Sequence, residues 1–263
     1  MNATERKEFI LNYLHDNHSL KINKLSEQLD VTRETLRKDI YELEEEGHVR
    51  KTHGGAVLAN KTKETAYEKR REEFSEEKRI IAKQAIQMIE EGDSVYLDYG
   101  TTIYALAEEI RQLKNITVVT NSIPIISLLI QNDEIDLIVP GGQLRRNEGS
   151  LYGDLANNNL KDIFVTIGFF SCSGISANIG ITNHHLGETA NSKTMIEHSE
   201  TSVILADNSK FGKCAFSRMA EFTEIDAIVT DRQPARVEEK EILLNDVTLY
   251  YPPTIFKEGS NDT

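Results

Sequence analysis

Cysteine is scarce, long apolar runs are missing, and positive charge is in deficit. Only two cysteines occur, Cys172 and Cys214, and they have no metal-ligand spacing. They read as ordinary thiols of a reduced, cytoplasmic protein, which excludes a disulfide framework and a zinc site. The longest greasy stretch, Ile123 to Ile130, is broken by Pro124 and Ser127 and falls well short of the roughly 20 residues that span a bilayer. The charged segment Met1 to Glu8 is followed by no long apolar run, so neither a signal peptide nor a membrane partner is expected. No heptad or solenoid-length period recurs. Lys and Arg number 30 against 43 Asp and Glu, a net charge of −13, which argues against nonspecific coating of nucleic acid. Sequence-specific binding stays open, because phosphate contacts depend on where the cations lie. From Met1 to Leu58 nine Lys and Arg face eleven Asp and Glu, so this stretch is less acidic than the rest without being basic.

What is present suffices for a real core: 39% of the 263 residues are apolar, and the length fits one small and one ordinary domain. Thr4 can cap a helix running to about His15, with Ile10, Leu11 and Leu14 on one face. Leu20 to Ile22 alternates like a short strand. Asn23 is positioned to cap a second helix with Leu25 and Leu29 inward, and Asp30-Val31 makes a turn. Thr32 then caps a third helix, Arg33 to Glu46, closed by Gly47. Its Leu36, Ile40 and Leu43 face the core. Arg37, Lys38 and Tyr41 point away, Arg33 lies on the flank, and the acidic Glu42, Glu44, Glu45 and Glu46 gather at the far end. Two helices joined by a tight turn, the second bearing hydroxyls and guanidinium groups on its first turns, suit entry into a DNA major groove. A hairpin of Val49–Thr52 and Ala56–Leu58 about His53-Gly54-Gly55 follows, carrying Arg50, Lys51 and His53 as a wing able to reach phosphates.

Residues 59–75 are polar and charge-mixed, without apolar period, and read as a linker. From Glu76 short apolar strands alternate with helices, near 94–98, 116–120, 135–139, 164–167, 203–206 and 225–230, with a helix and a strand at 247–250 before a tail from 253 to 263. This pattern predicts a mostly parallel sheet covered on both faces. Ligands bind such sheets beyond the carboxyl ends of the strands. Four strands end in small polar residues: Asp98 with Gly100, Thr101 and Thr102; Thr120, Asn121 and Ser122; Gly141 and Gly142; Asp207 with Lys210. Glycine lets the backbone approach, hydroxyls donate, and a helix N-terminus favours an anion. Together they predict a pocket for a phosphorylated sugar or polyol.

The run VTRETLRKDIYELEEEGHVRKTHGGAV resembles the N-terminal signature of DeoR-type repressors: a hydroxyl cap (Thr32), Thr35, Leu36, Arg37, Lys38 and Asp39, then Gly54-Gly55-Ala56 in the wing. The cap is more often Ser in that family. The resemblance continues through Asp98-x-Gly100-Thr101-Thr102, Thr120-Asn121-Ser122, Gly141-Gly142 and the Asp207-x-Ser-Lys210-Phe-Gly run, spanning about Thr4 to Asp231. It implies a winged helix-turn-helix at 1–58 that binds double-stranded operator DNA through Thr32, Arg33, Thr35, Arg37, Lys38, Arg50, Lys51, His53 and Gly54. It further implies an α/β domain at 76–252, similar in fold to ribose-phosphate isomerases, that senses a phosphorylated sugar and needs no cofactor. Paired half-sites imply a homo-oligomer, dimer or tetramer. Two features depart from expectation. Phe169-Phe170-Ser171-Cys172 is bulky for a pocket wall, and His184-His185 reads as an exposed loop, with His198 too far along the next helix to complete a metal site. Two other functions compete: a sugar-phosphate isomerase using Asp98, Asp207 or Lys210 as acid or base, and a helix-turn-helix that binds protein in place of DNA.

Overall fold

The computed structural model describes residues 3–17, 19–45, 49–52, 54–58 and 67–252. The chain divides into two compact units, Met1–Glu64 and Thr65–Thr263.

The first unit runs α1 (Ala3–Asn17), β1 (Ser19–Lys21), α2 (Ile22–Gln28), α3 (Arg33–Glu45), β2 (Val49–Thr52) and β3 (Gly55–Leu58). Ile10 and Leu14 of α1, Leu25 of α2, and Leu36, Ile40 and Leu43 of α3 form one buried cluster with Leu20, Val49 and Ala56. The expected helix stripes are therefore the packed ones. The second helix starts two residues earlier than a cap at Asn23 would allow. Lys21, the last residue of β1, takes the cap position in extended conformation and makes no side-chain cap bond. The reason is Ile22: its nearly buried side chain joins the core, and its amide bonds to the Gly54 carbonyl at 3.0 Å, so helix follows strand without a linker. Asp30 makes the turn before α3 with φ of 48°. Gly47, the expected helix stop, lies outside the described residues, as do His53 and the side chain of Arg50.

The small sheet has the order β1-β3-β2, antiparallel throughout. The wing is thus a hairpin plus a third strand, and β3, which begins at Gly55 and not Ala56, is central. A Cβ on Gly55 would sit 1.9 Å from the Leu20 carbonyl oxygen, a backbone atom that cannot move aside.

The second unit opens with α4 (Tyr67–Glu72), inside the stretch read as linker, and α5 (Ser75–Ala85). Strands β4 (Ser94–Leu97), β5 (Ile116–Thr120), β6 (Ile135–Ile138), β9 (Val165–Ser171), β12 (Ser199–Leu205), β14 (Ala227–Val229) and β15 (Thr248–Tyr250) form one sheet. Its order is β15-β14-β12-β9-β4-β5-β6, and every pairing is parallel. Helices α6 (Thr101–Ile110), α7 (Ile123–Leu129), α8 (Asp154–Leu160), α9 (Leu186–Glu197) and α10 (Arg236–Leu244) make the crossovers. A hairpin β7–β8 (Gln143–Arg145, Ser150–Tyr152) and a small antiparallel sheet β10-β11-β13 (Gly174–Ser176, Gly180–Asn183, Ser217–Ala220) lie outside the main sheet.

Both faces are buried, and neighbouring strand residues feed opposite cores. Val95, Leu97, Phe169, Val203 and Leu205 pack with α5 and α6, while Tyr96, Phe170, Ile204 and Ile228 pack with Met195 of α9 and Ile242 of α10. Phe169 and Phe170 are therefore core residues of the two faces, not bulky residues lining a pocket wall. β9 begins at Val165, beyond the exposed Phe164, and extends to Ser171; β12 likewise outruns its expected bounds. Among the described residues no helix is long and apolar enough to cross a membrane, and no three His, Cys, Asp or Glu side chains gather as metal ligands would.

Gly55→Ala is expected to open the first unit alone. Hydrogen exchange of the full chain should show β1–β3 amides losing about 1–3 kcal/mol of protection, with the β4–β9 amides unchanged.

Candidate functional site

Two groups of residues stand out, one in each unit. In the first, Thr32 accepts a hydrogen bond from the Thr35 amide at 3.1 Å, and the two hydroxyls lie 2.8 Å apart. The expected cap therefore forms, and both hydroxyls stand at the helix entrance. Arg33, Arg37 and Lys38 are exposed. A groove of about 710 Å³ lies between α3 and the wing, lined among others by Arg33, Arg37, Lys38, Tyr41, Lys51 and Gly54.

Three acidic residues of this unit hold basic partners. Glu44 bonds Lys51 twice, through the Lys51 amide at 2.8 Å and the ammonium at 2.7 Å, and the ammonium lies 4.5 Å from the Tyr41 ring centroid. Lys51 thus ties the wing to α3. Glu42 pairs with Lys7 at 2.8 Å. Asp39, 3% exposed, is gripped in a fork by Arg6, Nε at 2.5 Å and Nη2 at 3.0 Å, which fixes α3 to α1. Arg6 carries no signal in local spacing, because its partner is 33 residues away.

In the second unit the chain order of the sheet reverses between β4 and β9, the place where a crevice opens beyond the carboxyl ends. Ser171 Oγ donates to the Tyr99 carbonyl at 2.7 Å across this point. Gly100 caps α6 with φ of 113°, and a Cβ there would meet Ser171 Oγ at 2.6 Å. The first amides of α6, at Thr101 and Thr102, have no intrahelical acceptor. Beside them, Asp98 is fully buried and its Oδ2 accepts from Ser192 Oγ of α9 at 3.0 Å. Burial pushes the Asp98 carboxyl well above the usual range, against the pull of the Tyr99 amide and Ser192. On the neighbouring strand end, Asn121 Nδ2 donates to the Leu151 carbonyl at 3.2 Å; Asn191 Nδ2 of α9 donates to that same carbonyl at 3.1 Å.

Two buried glutamates adjoin this cluster. Glu188 is held by Arg145 and Ser150, and Glu148 by the Arg70 guanidinium of α4, 2.5 Å from both carboxylate oxygens. Lys78, only 5% exposed, donates to the Arg70 and Glu73 carbonyls. Desolvation lowers its pKa to about 8, and the charges of Asp207, Lys210 and Arg70 act on it. Asp207 accepts from the Ser209 amide at 2.9 Å and stands 3.8 Å from Lys210 Nζ. His184 is exposed, and partial desolvation together with Arg145, Lys210 and Arg70 depresses its pKa. A cationic group of Arg70, Lys78, Arg145 and Lys210 therefore lies at the same end as the buried polar cluster.

His185 departs from the exposed-loop expectation. Its Nδ1 accepts from the Glu188 amide at 3.3 Å, capping α9, and its ring stands edge-on to Tyr152 at 4.7 Å. The Gly141–Gly142 turn takes positive φ at both residues, and a Cβ on Gly142 would strike the Tyr152 carbonyl and Ala156. Packing against β8 and α8 accounts for that glycine.

Sequence reasoning passed over Arg70, Lys78, Arg145, Glu148, Glu188, Asn191 and Ser192. One signal was available. Lys78 continues the inward stripe of α5 ahead of Ile81, Ala82 and Ala85, and Glu188, Asn191 and Ser192 continue that of α9 ahead of Met195. A polar residue in an apolar register is either paired or functional.

Comparison with known proteins matches residues 6–62 to the DeoR-like helix-turn-helix domain and residues 73–232 to the DeoR C-terminal sensor domain. The lactose phosphotransferase system repressor of Staphylococcus epidermidis is 34% identical over 244 residues, covering 91% of this chain and 96% of that protein. The HTH-type transcriptional repressor GlcR of Bacillus subtilis is 34% identical over 235 residues, covering 89% and 90%. The glycerol-3-phosphate regulon repressor of Escherichia coli is 28% identical over 234 residues, covering 89% and 93%. Among solved structures, ribose 5-phosphate isomerase A from Neisseria gonorrhoeae aligns over 51% of this chain and 52% of its own at 23% identity, with a TM-score of 0.38. The chain belongs to the DeoR family, and it is a DNA-binding transcriptional regulator rather than an enzyme.

Proposed function

We propose that this regulator is a repressor of a sugar or polyol operon, released from its operator by a phosphorylated sugar or polyol held at the β4/β9 reversal. The observation that carries the reading is the pairing, at one sheet edge, of a cationic group (Arg70, Lys78, Arg145, Lys210) with buried carboxyl, amide and hydroxyl side chains. The cations and the open amides of α6 suit a phosphate. The polar cluster of Asp98, Asn121, Ser122, Asn191 and Ser192 suits hydroxyls. The related repressors named for lactose and glycerol-3-phosphate regulation support the same class. Thr120 is buried at the same strand end, and its hydroxyl accepts from the Ser122 amide at 3.2 Å, holding that turn.

On the DNA side, Thr32, Arg33, Thr35, Arg37 and Lys38 present to the major groove, and the wing, with Arg50, Lys51, His53 and Gly54, runs along the backbone. Lys51 is half committed to Glu44 and Tyr41, so its share of phosphate contact is smaller than that of Lys38. A homo-oligomer places two such helices on paired half-sites, and effector binding favours an arrangement that no longer matches both. This function belongs in a bacterial cytoplasm, where operator DNA and phosphorylated sugars meet.

Two outcomes are expected. Arg37→Ala should weaken operator binding by about 1–3 kcal/mol if Arg37 reads a base; gel shifts at fixed salt measure it, and an unchanged affinity removes Arg37 from the interface. Effector binding should weaken as pH rises from 7 to 9. The depressed pKa of Lys78, about 8, means its ammonium is lost over that window, and a phosphate dianion requires the charged form. The half-maximal effector concentration for DNA release should rise roughly ten-fold, and Lys78→Met should flatten the dependence. A flat profile in the unmodified chain excludes Lys78 as a phosphate ligand.

A further inference from the structure

The side-chain amides of Asn121 and Asn191 have fixed orientations. Each spends its Nδ2 on the Leu151 carbonyl, at 3.2 and 3.1 Å, so the nitrogen of each faces that acceptor and the oxygen is turned elsewhere. Both residues are 0% exposed, and the Oδ1 atoms of both have no hydrogen-bond partner. Two more buried atoms nearby are also unmatched, Asp98 Oδ1 and Ser122 Oγ. Asp98 and Asn121 occupy adjacent places on the sheet edge, since Leu97 pairs with Thr120 in the β4–β5 register. Asn191 is joined to the group through Leu151, and its neighbour Ser192 bonds Asp98 directly. A buried acceptor left unmet is costly, so the two amide oxygens together are a standing demand for donors.

Amide oxygens only accept. A carbonyl, ether or phosphate oxygen cannot satisfy them, whereas a hydroxyl can donate one proton to each. We propose that Asn191, together with Asn121, is a specificity-determining residue that accepts hydrogen bonds from two neighbouring hydroxyls of the effector. The site would thus select a phosphate ester bearing a vicinal diol and reject the deoxy analogue. This rests on the effector reading above, in which Arg70, Lys78, Arg145 and Lys210 take the phosphate.

The test is calorimetric titration of the full chain with inorganic phosphate and with glucose 6-phosphate, fructose 6-phosphate, sorbitol 6-phosphate, ribose 5-phosphate and glycerol 3-phosphate. The tightest ester is then compared with its monodeoxy analogues. In the unmodified protein at least one deoxy analogue should bind about 30-fold or more weakly, because a site built to bond a hydroxyl rejects ligands lacking it. In Asn191→Ala the parent ester should lose at least ten-fold in affinity relative to inorganic phosphate, and the preference over one deoxy analogue, the one lacking the hydroxyl that Asn191 bonds, should collapse to within about three-fold. Asn191→Ser serves the same comparison should the alanine variant fold poorly, and the deoxy series in the unmodified chain stands without any variant. Retention of the full preference in the variants, or less than three-fold discrimination against every deoxy analogue by the unmodified protein, overturns the assignment of Asn191 while leaving the phosphate reading intact. Failure of every ester to bind the unmodified chain overturns the effector reading itself, and this inference with it.

Discussion

Everything polar in the second unit depends on one constraint: a parallel sheet buried on both faces whose chain order reverses between β4 and β9. Strands with both faces covered must be apolar along their length, so polar side chains can act only where the strands stop. At the reversal the two flanking crossovers leave in opposite directions and expose the strand ends to whatever covers them. Here the cover includes α9 and the β7–β8 hairpin, and it brings buried carboxylates with it. An unpaired buried charge costs several kcal/mol, so each glutamate is matched by an arginine from elsewhere in the chain: Arg145 of β7 for Glu188, Arg70 of α4 for Glu148. The pairing with Arg70 has a second consequence. It fastens α4 to the edge of the site, assisted by Tyr67 edge-on to Tyr104 and Arg71 over the Tyr104 ring.

The same logic resolves the charge balance of the first unit. Counted as a composition, residues 1–58 are slightly acidic and unpromising for DNA. Counted by position, three of their carboxylates are spent internally. Asp39 holds Arg6, Glu42 holds Lys7, and Glu44 holds Lys51. These contacts fasten α1 and the wing to α3, and they leave Arg33, Arg37 and Lys38 exposed along the groove. Of these, Arg37 has Glu34 as a surface partner at 3.3 Å, a pair so exposed that its contribution is small. A net charge does not say where the cations lie, and here Arg33, Arg37 and Lys38 line the groove.

How much was legible follows from the range of each interaction. Helix stripes, the Thr32 cap, the wing and the parallel strands are set by periods of two to four residues and by turn chemistry, and these emerge from sequence, although β9 and β12 each run four residues past one expected end. The Lys21 cap escaped because Ile22 is drawn into the core, a tertiary effect that overrode the local preference for Asn23. The loops at 98–102, 120–122 and 207–210 were visible as polar strand ends. Their partners were not: Arg70 and Glu148 are 78 residues apart, and Arg145 and Glu188 are 43. Hydropathy reads a charged residue as solvated unless its partner is known. That is why residues 67–72 looked like linker, and why Glu188 on α9 went unremarked.

The acid–base alternative can be judged on the geometry of its own candidates. Isomerisation requires a group that gains and loses a proton near neutral pH while touching substrate. Asp98 is fully buried, desolvation pushes its pKa well above the usual range, and Ser192 already donates to it. Glu188 also rises through desolvation, yet Arg145 and Ser150 occupy its oxygens, so a proton drawn from substrate would have to displace both. Asp207 is engaged by the Ser209 amide and faces Lys210. Each of these three carboxyls thus already accepts a hydrogen bond from within the chain. Such a site can grip a polyhydroxylated anion through many fixed contacts. Those are the properties of a sensor, for which the bound ligand must persist unchanged long enough to alter the affinity for DNA.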